Sequence, residues 1–80
     1  MPVFNIDKDV IKKDMIELLT DKTNIIGSKS EARRLLDNNA LSVNKKKIKK
    51  DYVITDDDII NDKYIVIQKG KKNYYLLILN

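Results

Sequence analysis

The sequence predicts a single small α+β domain: a two-helix unit packed on a small, mainly antiparallel sheet that includes a basic β-hairpin. Three observations carry this. Apolar residues recur at helical spacing in the first half, they alternate or cluster as strands in the second, and the 80-residue length leaves room for one modest core. One domain spanning residues 1–80 is therefore expected. Hydrophobic residues at 42% and charged residues at 35% place the chain among folded domains rather than disordered ones.

Val3 to Ile6 reads as a short strand or extended lead-in. Asp7 or Asp9 then caps a helix with Val10, Ile11, Met15, Leu18 and Leu19 on one face, running to about Thr23. Asn24 and Gly27 supply turn chemistry around Ile25 and Ile26. Ser28-Lys29-Ser30-Glu31 has the form of a capping box, with the serine oxygen taking a free backbone N–H and the glutamate reaching back. The second helix begins there, turns Ala32, Leu35 and Leu36 inward, and stops at Asn38-Asn39, where asparagine tolerates the left-handed conformation of a helix end.

Leu41 and Val43 alternate with Ser42 and Asn44 as a half-buried strand. Lys46 to Lys49 returns antiparallel with Ile48 inward, and Asn44-Lys45 makes the turn. Tyr52 to Ile54 is extended, and Thr55 caps a single acidic turn that runs through Asp58 to Ile60 and is expected to be solvated. Tyr64 to Gln68 and Asn73 to Leu79 form a last hairpin, joined through Lys69-Gly70-Lys71-Lys72.

The net charge is only +4, but it is segregated. Residues 29 to 50 hold eight cations against Glu31 and Asp37, a net +6, whereas five aspartates against Lys63 give residues 51 to 63 a net −4. The acidic stretch repels a polyanion and so helps to orient one. No cysteine or histidine is present, which removes disulfides, thiolate metal sites and the commonest neutral-pH acid/base group. No apolar run approaches the ~20 residues of a membrane span, so a cytoplasmic location and no membrane partner are expected.

These features exclude most enzymes and leave a binding surface. The helix that begins at Ser28 presents free backbone N–H groups, the hydroxyls of Ser28 and Ser30, and Lys29. Arg33 lies one turn on, with Arg34 beside it. An ordinary capped helix with a solvated face has the same signature. Lys45, Lys46, Lys47, Lys49 and Lys50 on a hairpin neutralise phosphates or, equally, protect an edge strand. One helix–turn–hairpin unit brings both groups into a single cationic patch, which favours binding to the phosphates of RNA, and Lys69, Lys71 and Lys72 are a third contribution. The aromatics Phe4, Tyr52, Tyr64, Tyr74 and Tyr75 sit in apolar strand patterns and read as core rather than as stacking platforms. Asp56-Asp57-Asp58 lacks the alternating spacing and internal glycine of a calcium loop, so no metal site is expected.

From Ser28 to Leu36, continued by Leu41-Ser42-Val43-Asn44 and Lys47-Ile48, the chain resembles the RNA-binding domain family named after small-subunit ribosomal protein four, the alpha-L RNA-binding motif. Residues 51 to 58 and 63 to 74 narrow the resemblance to the C-terminal domain of bacterial tyrosyl-tRNA synthetases. The resemblance implies a domain that holds tyrosine tRNA by its phosphate backbone for a catalytic domain lying elsewhere in a homodimeric parent. ATP serves that parent, and this fragment is monomeric, takes no cofactor and has no catalytic residue. The His-Ile-Gly-His-like and Lys-Met-Ser-Lys-Ser-like signatures of the parent chemistry are absent, and Ser28-Lys29-Ser30 is not the latter. Other readings are a family member acting on ribosomal RNA and a protein-interaction module. The chain departs from the family at Asn39-Ala40, where a glycine pair is usual, and at Lys45, where glycine is usual. Ala40 and Lys45 accommodate a positive φ poorly, so a differently shaped hairpin is expected.

Overall fold

A computed structural model describes residues 1–9 and 14–80. Five strands form one sheet in the order β1-β5-β4-β2-β3, with β1 at Val3–Ile6, β2 at Leu41–Val43, β3 at Lys46–Lys47, β4 at Tyr64–Lys69 and β5 at Asn73–Leu79. All pairings are antiparallel except β1 with β5, which run parallel with Phe4 opposite Leu77 and Ile6 opposite Leu79. The expected α+β class, two-helix unit and mainly antiparallel sheet are thus present.

Because paired residues share a face, the register separates the sheet into two sides. Leu41, Val43, Ile65, Ile67, Leu77, Leu79 and Ile6 are buried on the side that joins the core. The other side carries Val3, Leu76, Val66, Tyr64, Ile78, Gln68 and Tyr74, half-buried or exposed apart from Ser42.

The first helix differs from the expectation. Its cap in the described residues is Asp14, whose carboxylate accepts from the Glu17 N–H at 2.8 Å, not Asp7 or Asp9. Val10 and Ile11 lie outside the described residues. Helix α1 covers only Met15–Glu17 and widens into a π-helical turn at Leu18–Lys22. Two threonines account for the widening. The Thr20 hydroxyl donates to the Ile16 carbonyl at 2.7 Å and that of Thr23 to the Leu18 carbonyl at 2.9 Å, competing for groups that a regular α-helix would use. The turn buries Met15, Leu18 and Leu19 together without measurable exposure.

Helix α2, Lys29–Asp37, starts and stops where expected. The Ser28 hydroxyl accepts from the Glu31 N–H at 3.2 Å, while the returning bond from the Glu31 side chain is absent among the described residues, so half of the capping box forms. Ala32 and Leu36 are buried and Leu35 is half-buried against them. The C-terminus closes as a Schellman motif: Ala40 N–H donates to the Leu35 carbonyl at 2.9 Å and Asn39 N–H to the Leu36 carbonyl at 3.2 Å, with Asn39 left-handed at φ 57°. A single left-handed residue suffices, so Ala40 is not asked for positive φ and the glycine pair is dispensable.

Since φ 57° costs an ordinary L-residue about 1–2 kcal/mol and a β-branched one more, Asn39→Val is expected to lower the unfolding free energy by at least about 1 kcal/mol, whereas Asn39→Gly stays near the parent value. Urea unfolding with an unchanged m value is the check.

Candidate nucleic-acid interface

The hairpin that presents the lysines is built on a two-residue turn. Asn44 has φ 50° and Lys45 φ 73°, the pair of positive values that a type I′ turn requires, and Val43 stands opposite Lys46. The tight turn therefore forms despite lysine at the glycine position, contrary to the expectation of a different shape. Strand β3 is shorter than expected. Pairing ends at Lys47, Ile48 N–H still reaches the Leu41 carbonyl at 3.2 Å with its side chain buried, and a turn from Lys49 to Tyr52 then takes the chain away.

What holds this turn is Asn44. Its N–H donates to the Val66 carbonyl at 2.8 Å, its side-chain oxygen accepts from the Val66 N–H at 2.9 Å, and its amide nitrogen donates to the Asp58 carbonyl. The first two bonds imitate a strand-to-strand pair and extend β2 along β4 by one residue. Two bonded groups offset the left-handed backbone at Asn44 and the similar cost at Lys45.

Asp58 ties the same region from below. It is buried, and its carboxylate accepts from the Thr55 N–H at 3.0 Å and from the Tyr52 hydroxyl. The Lys46 ammonium lies 3.8 Å from the other carboxylate oxygen and 4.8 Å from the centre of the Tyr52 ring. The acidic turn is a 3₁₀ turn at Asp56–Asp58, and the expectation that it is wholly solvated is corrected: Asp56 and Asp57 are exposed, Asp58 is not. Burial pushes the Tyr52 phenol above its ordinary value, with its hydrogen bond to Asp58 adding to the shift. The contact with Tyr52 is the main reason that the Lys46 ammonium also titrates above its usual value, and the charges of Asp58 and Asp57 reinforce it.

The lysine run is therefore divided. Lys46 shares the core side of β2 with Val43 and is engaged by Tyr52 and Asp58, whereas Lys47, opposite Ser42, is on the outer side. Lys45 is exposed at the turn. Lys49 and Lys50 line a shallow cavity with Leu36, Asp37 and Asp51, which sets them beside the C-terminal end of α2. At its other end, roughly 13 Å away for nine residues, Lys29 and Arg33 share a depression with Asp14, Ile16 and Glu17, and Lys29 pairs with Asp21 at 3.3 Å. Ser28, Ser30 and Arg34 are exposed. Lys69 stands opposite Leu41, and the Gly70 N–H donates to the Ala40 carbonyl at 2.8 Å, so the loop with Lys71 and Lys72 adjoins the α2–β2 connection. Hairpin, helix end and β4–β5 loop thus meet around the start of β2. The N-terminal cations of α2 stand apart and have acidic neighbours.

The model of the "Tyrosine--tRNA ligase SYY-like C-terminal domain" family matches residues 1–77. The chain belongs to this family. Among its relatives are tyrosine–tRNA ligases of Flavobacterium johnsoniae, 45% identical over 64 residues, of Parabacteroides distasonis, 41% identical over 81 residues, and of Bacteroides fragilis, 38% identical over 81 residues. These alignments cover 80%, 98% and 98% of this chain but only 15%, 19% and 19% of the relatives' own lengths, so the chain spans less than a fifth of the ligases it matches. The resemblance read from residues 51 to 58 and 63 to 74 is borne out. Among the described residues no group of three or more acidic side chains is arranged to hold a metal ion, and no helix is long and apolar enough to cross a membrane.

The residues that sequence reasoning missed in this ligase-family domain are those that support the hairpin: Asn44 as more than a turn former, and the half-buried Tyr52 with the buried Asp58 as a bonded pair. The spacing Thr55-x-x-Asp58 was a signal for the last, since it is a capping pattern whose acid turns back toward the chain.

Tyr52→Phe deprives a buried carboxylate of a donor and is expected to cost about 1.5–3 kcal/mol in urea unfolding. Tyr52 and Lys46 both titrate above their ordinary values in the fold. Their contribution is therefore complete at neutral pH, begins to fade above about pH 10 and is lost as pH rises through the folded values. Stability measured across that alkaline range should fall more steeply for the parent than for Tyr52→Phe.

Proposed function

We propose that this domain binds tRNA, gripping its phosphate backbone with the hairpin and helix α2 and holding it for a catalytic body elsewhere in a tyrosine–tRNA ligase. The observation that carries the reading is the meeting of Lys49 and Lys50 with the end of α2, beside the α2–β2 connection that the loop of Lys71 and Lys72 also adjoins, in a member of a ligase C-terminal family. Cations from two separate stretches, 49–50 and 71–72, converge on one region of a chain whose net charge is only +4. Such convergence favours a polyanion over a merely soluble surface.

Within this reading the candidate contacts are Ser28, Lys29, Ser30, Arg33 and Arg34 on α2, Lys45, Lys47, Lys49 and Lys50 on the hairpin, and Lys69, Lys71 and Lys72 beyond it. Lys46 acts chiefly as part of the hairpin's support, because its ammonium is already shared by Asp58 and Tyr52. Lys29 is half-exposed beside Asp21, and an exposed pair of this kind is worth under about 1 kcal/mol, so a phosphate can displace the aspartate. The tRNA is the tyrosine-specific one by the family's name. The domain supplies no catalytic group and takes no cofactor. ATP and tyrosine belong to the catalytic body, and the domain itself acts as a monomer tethered in the cytoplasm to a dimeric enzyme.

Arg33 is exposed on α2, so its replacement leaves the fold intact to within about 0.5 kcal/mol. Arg33→Ala is expected to weaken tRNA binding and to reduce the slope of log affinity against log salt by about one unit, and Arg33→Glu to weaken it further. Gel-shift titrations with tyrosine tRNA at several salt concentrations measure both, and unchanged affinity in both variants rejects this surface.

A further inference from the structure

The outer side of the sheet holds a feature that phosphate binding leaves unused. Lys47, Ser42, Gln68 and Tyr74 are successive partners across β3, β2, β4 and β5, so one row runs from a cation through an amide to an aromatic ring on the same face. Beside this row a cavity of about 210 Å³ is lined by Asn44, Lys45, Ile60, Val66, Gln68 and Tyr74. Ile60 and Tyr74 are 44% and 37% exposed, and Tyr74 is the most exposed aromatic side chain among the described residues. The other ring-bearing side chains are half-buried, including Phe4 and Tyr75, whose ring centres are 6.3 Å apart on the core side. The Gln68 amide nitrogen is held by the Gly70 carbonyl at 3.0 Å, which fixes the orientation of that side chain and leaves its oxygen as an acceptor.

We propose that this cavity receives one unpaired nucleobase of the bound RNA, with Tyr74 as its stacking surface and with Lys45 at its rim and Lys47 farther along the same face engaging the flanking phosphates. The proposal rests on the RNA-binding reading and deepens it. Its occupant is set by charge complementarity: an apolar floor lined on one side by Lys45, with Lys47 on the same face two strands from Gln68, suits a flat, neutral ring attached to a polyanion. An apolar peptide segment would match the floor and leave both ammonium groups without partners. The volume admits one planar ring rather than a larger ligand. Stacking on an aromatic side chain with a cation nearby is the general means of holding an unpaired base, whereas a continuous A-form duplex offers none to insert.

The test compares Tyr74→Ala and Tyr74→Phe with the parent chain on tyrosine tRNA and on a perfect RNA duplex of similar length. Circular dichroism verifies that both variants fold. Tyr74→Ala is expected to weaken tRNA binding about five- to 150-fold, with the salt slope unchanged because no phosphate contact is lost. Binding to the duplex should be unaltered, and Tyr74→Phe should retain the tRNA affinity. Equal loss on tRNA and duplex overturns the proposal, as does an unchanged tRNA affinity of Tyr74→Ala while Arg33→Glu still weakens binding. In the second case the RNA-binding surface survives without the base site. If Tyr74→Ala keeps full RNA affinity but impairs association with the remainder of a ligase, the cavity is a protein contact and the proposal is likewise overturned.

Discussion

The geometry of the basic hairpin depends on one buried carboxylate. Asp58 collects the Tyr52 hydroxyl, the Thr55 N–H and the Lys46 ammonium on its side chain, while its backbone carbonyl takes the Asn44 amide. Four points of the chain from residue 44 to residue 55 are thereby referred to a single residue. A carboxylate removed from water is costly unless its lone pairs are occupied, and here the donors come from strand β3 at Lys46 and from Tyr52 and Thr55, which lie outside any sheet pairing. The 3₁₀ turn that contains Asp58 has no regular partner of its own, so the relation is mutual. Without the carboxylate the hairpin loses its underside, and without the hairpin the carboxylate loses its donors.

This arrangement assigns different work to neighbouring lysines. Alternation along β3 sends Lys46 toward the core side and Lys47 to the outer side, so a run that looks uniform in sequence is split between support and display. The split also bears on how an RNA would meet the domain. A lysine already shared by a carboxylate and a ring offers a phosphate less than a free one. The cations with open surroundings are those at the turn and at Lys47, while Lys49 and Lys50 meet the end of α2 beside Asp37 and Asp51.

Local signals were legible in the sequence wherever a structural device is carried by adjacent residues. The Ser28 cap, the stop at Asn38-Asn39, the Asn44-Lys45 turn and the closing hairpin all lie within a few positions of the residues that determine them. The parallel pairing of β1 with β5 was not legible, because it joins residues more than 70 positions apart and both strands show only ordinary apolar patterns. The π-helical turn was hidden for a different reason. Its apolar spacing resembles an α-helix, and the decision rests on whether Thr20 and Thr23 turn their hydroxyls back onto the chain. In the candidate site, charge was visible but the side on which each charge stands was not. That depended on register, and register depended on Asn44.

The departures from the family's glycines follow one rule. Apart from Gly70, the left-handed positions among the described residues are occupied by Asn24, Asn39, Asn44, Asn61, Asp62 and Lys45. Asparagine accepts this backbone less readily than glycine, but it brings an amide that can bond. At Asn39 the backbone bonds of the Schellman motif suffice, and the residue serves as a tolerated substitute. At Asn44 the amide bonds to Val66 and Asp58, which glycine cannot do, and it prolongs β2 by the length of one side chain. Lys45 has no such bond among the described residues and depends on its neighbour to hold the turn. The hairpin's shape is thus maintained by moving the constraint from the residue with the least steric freedom to the one beside it, which leaves position 45 free to carry a positive charge at the tip.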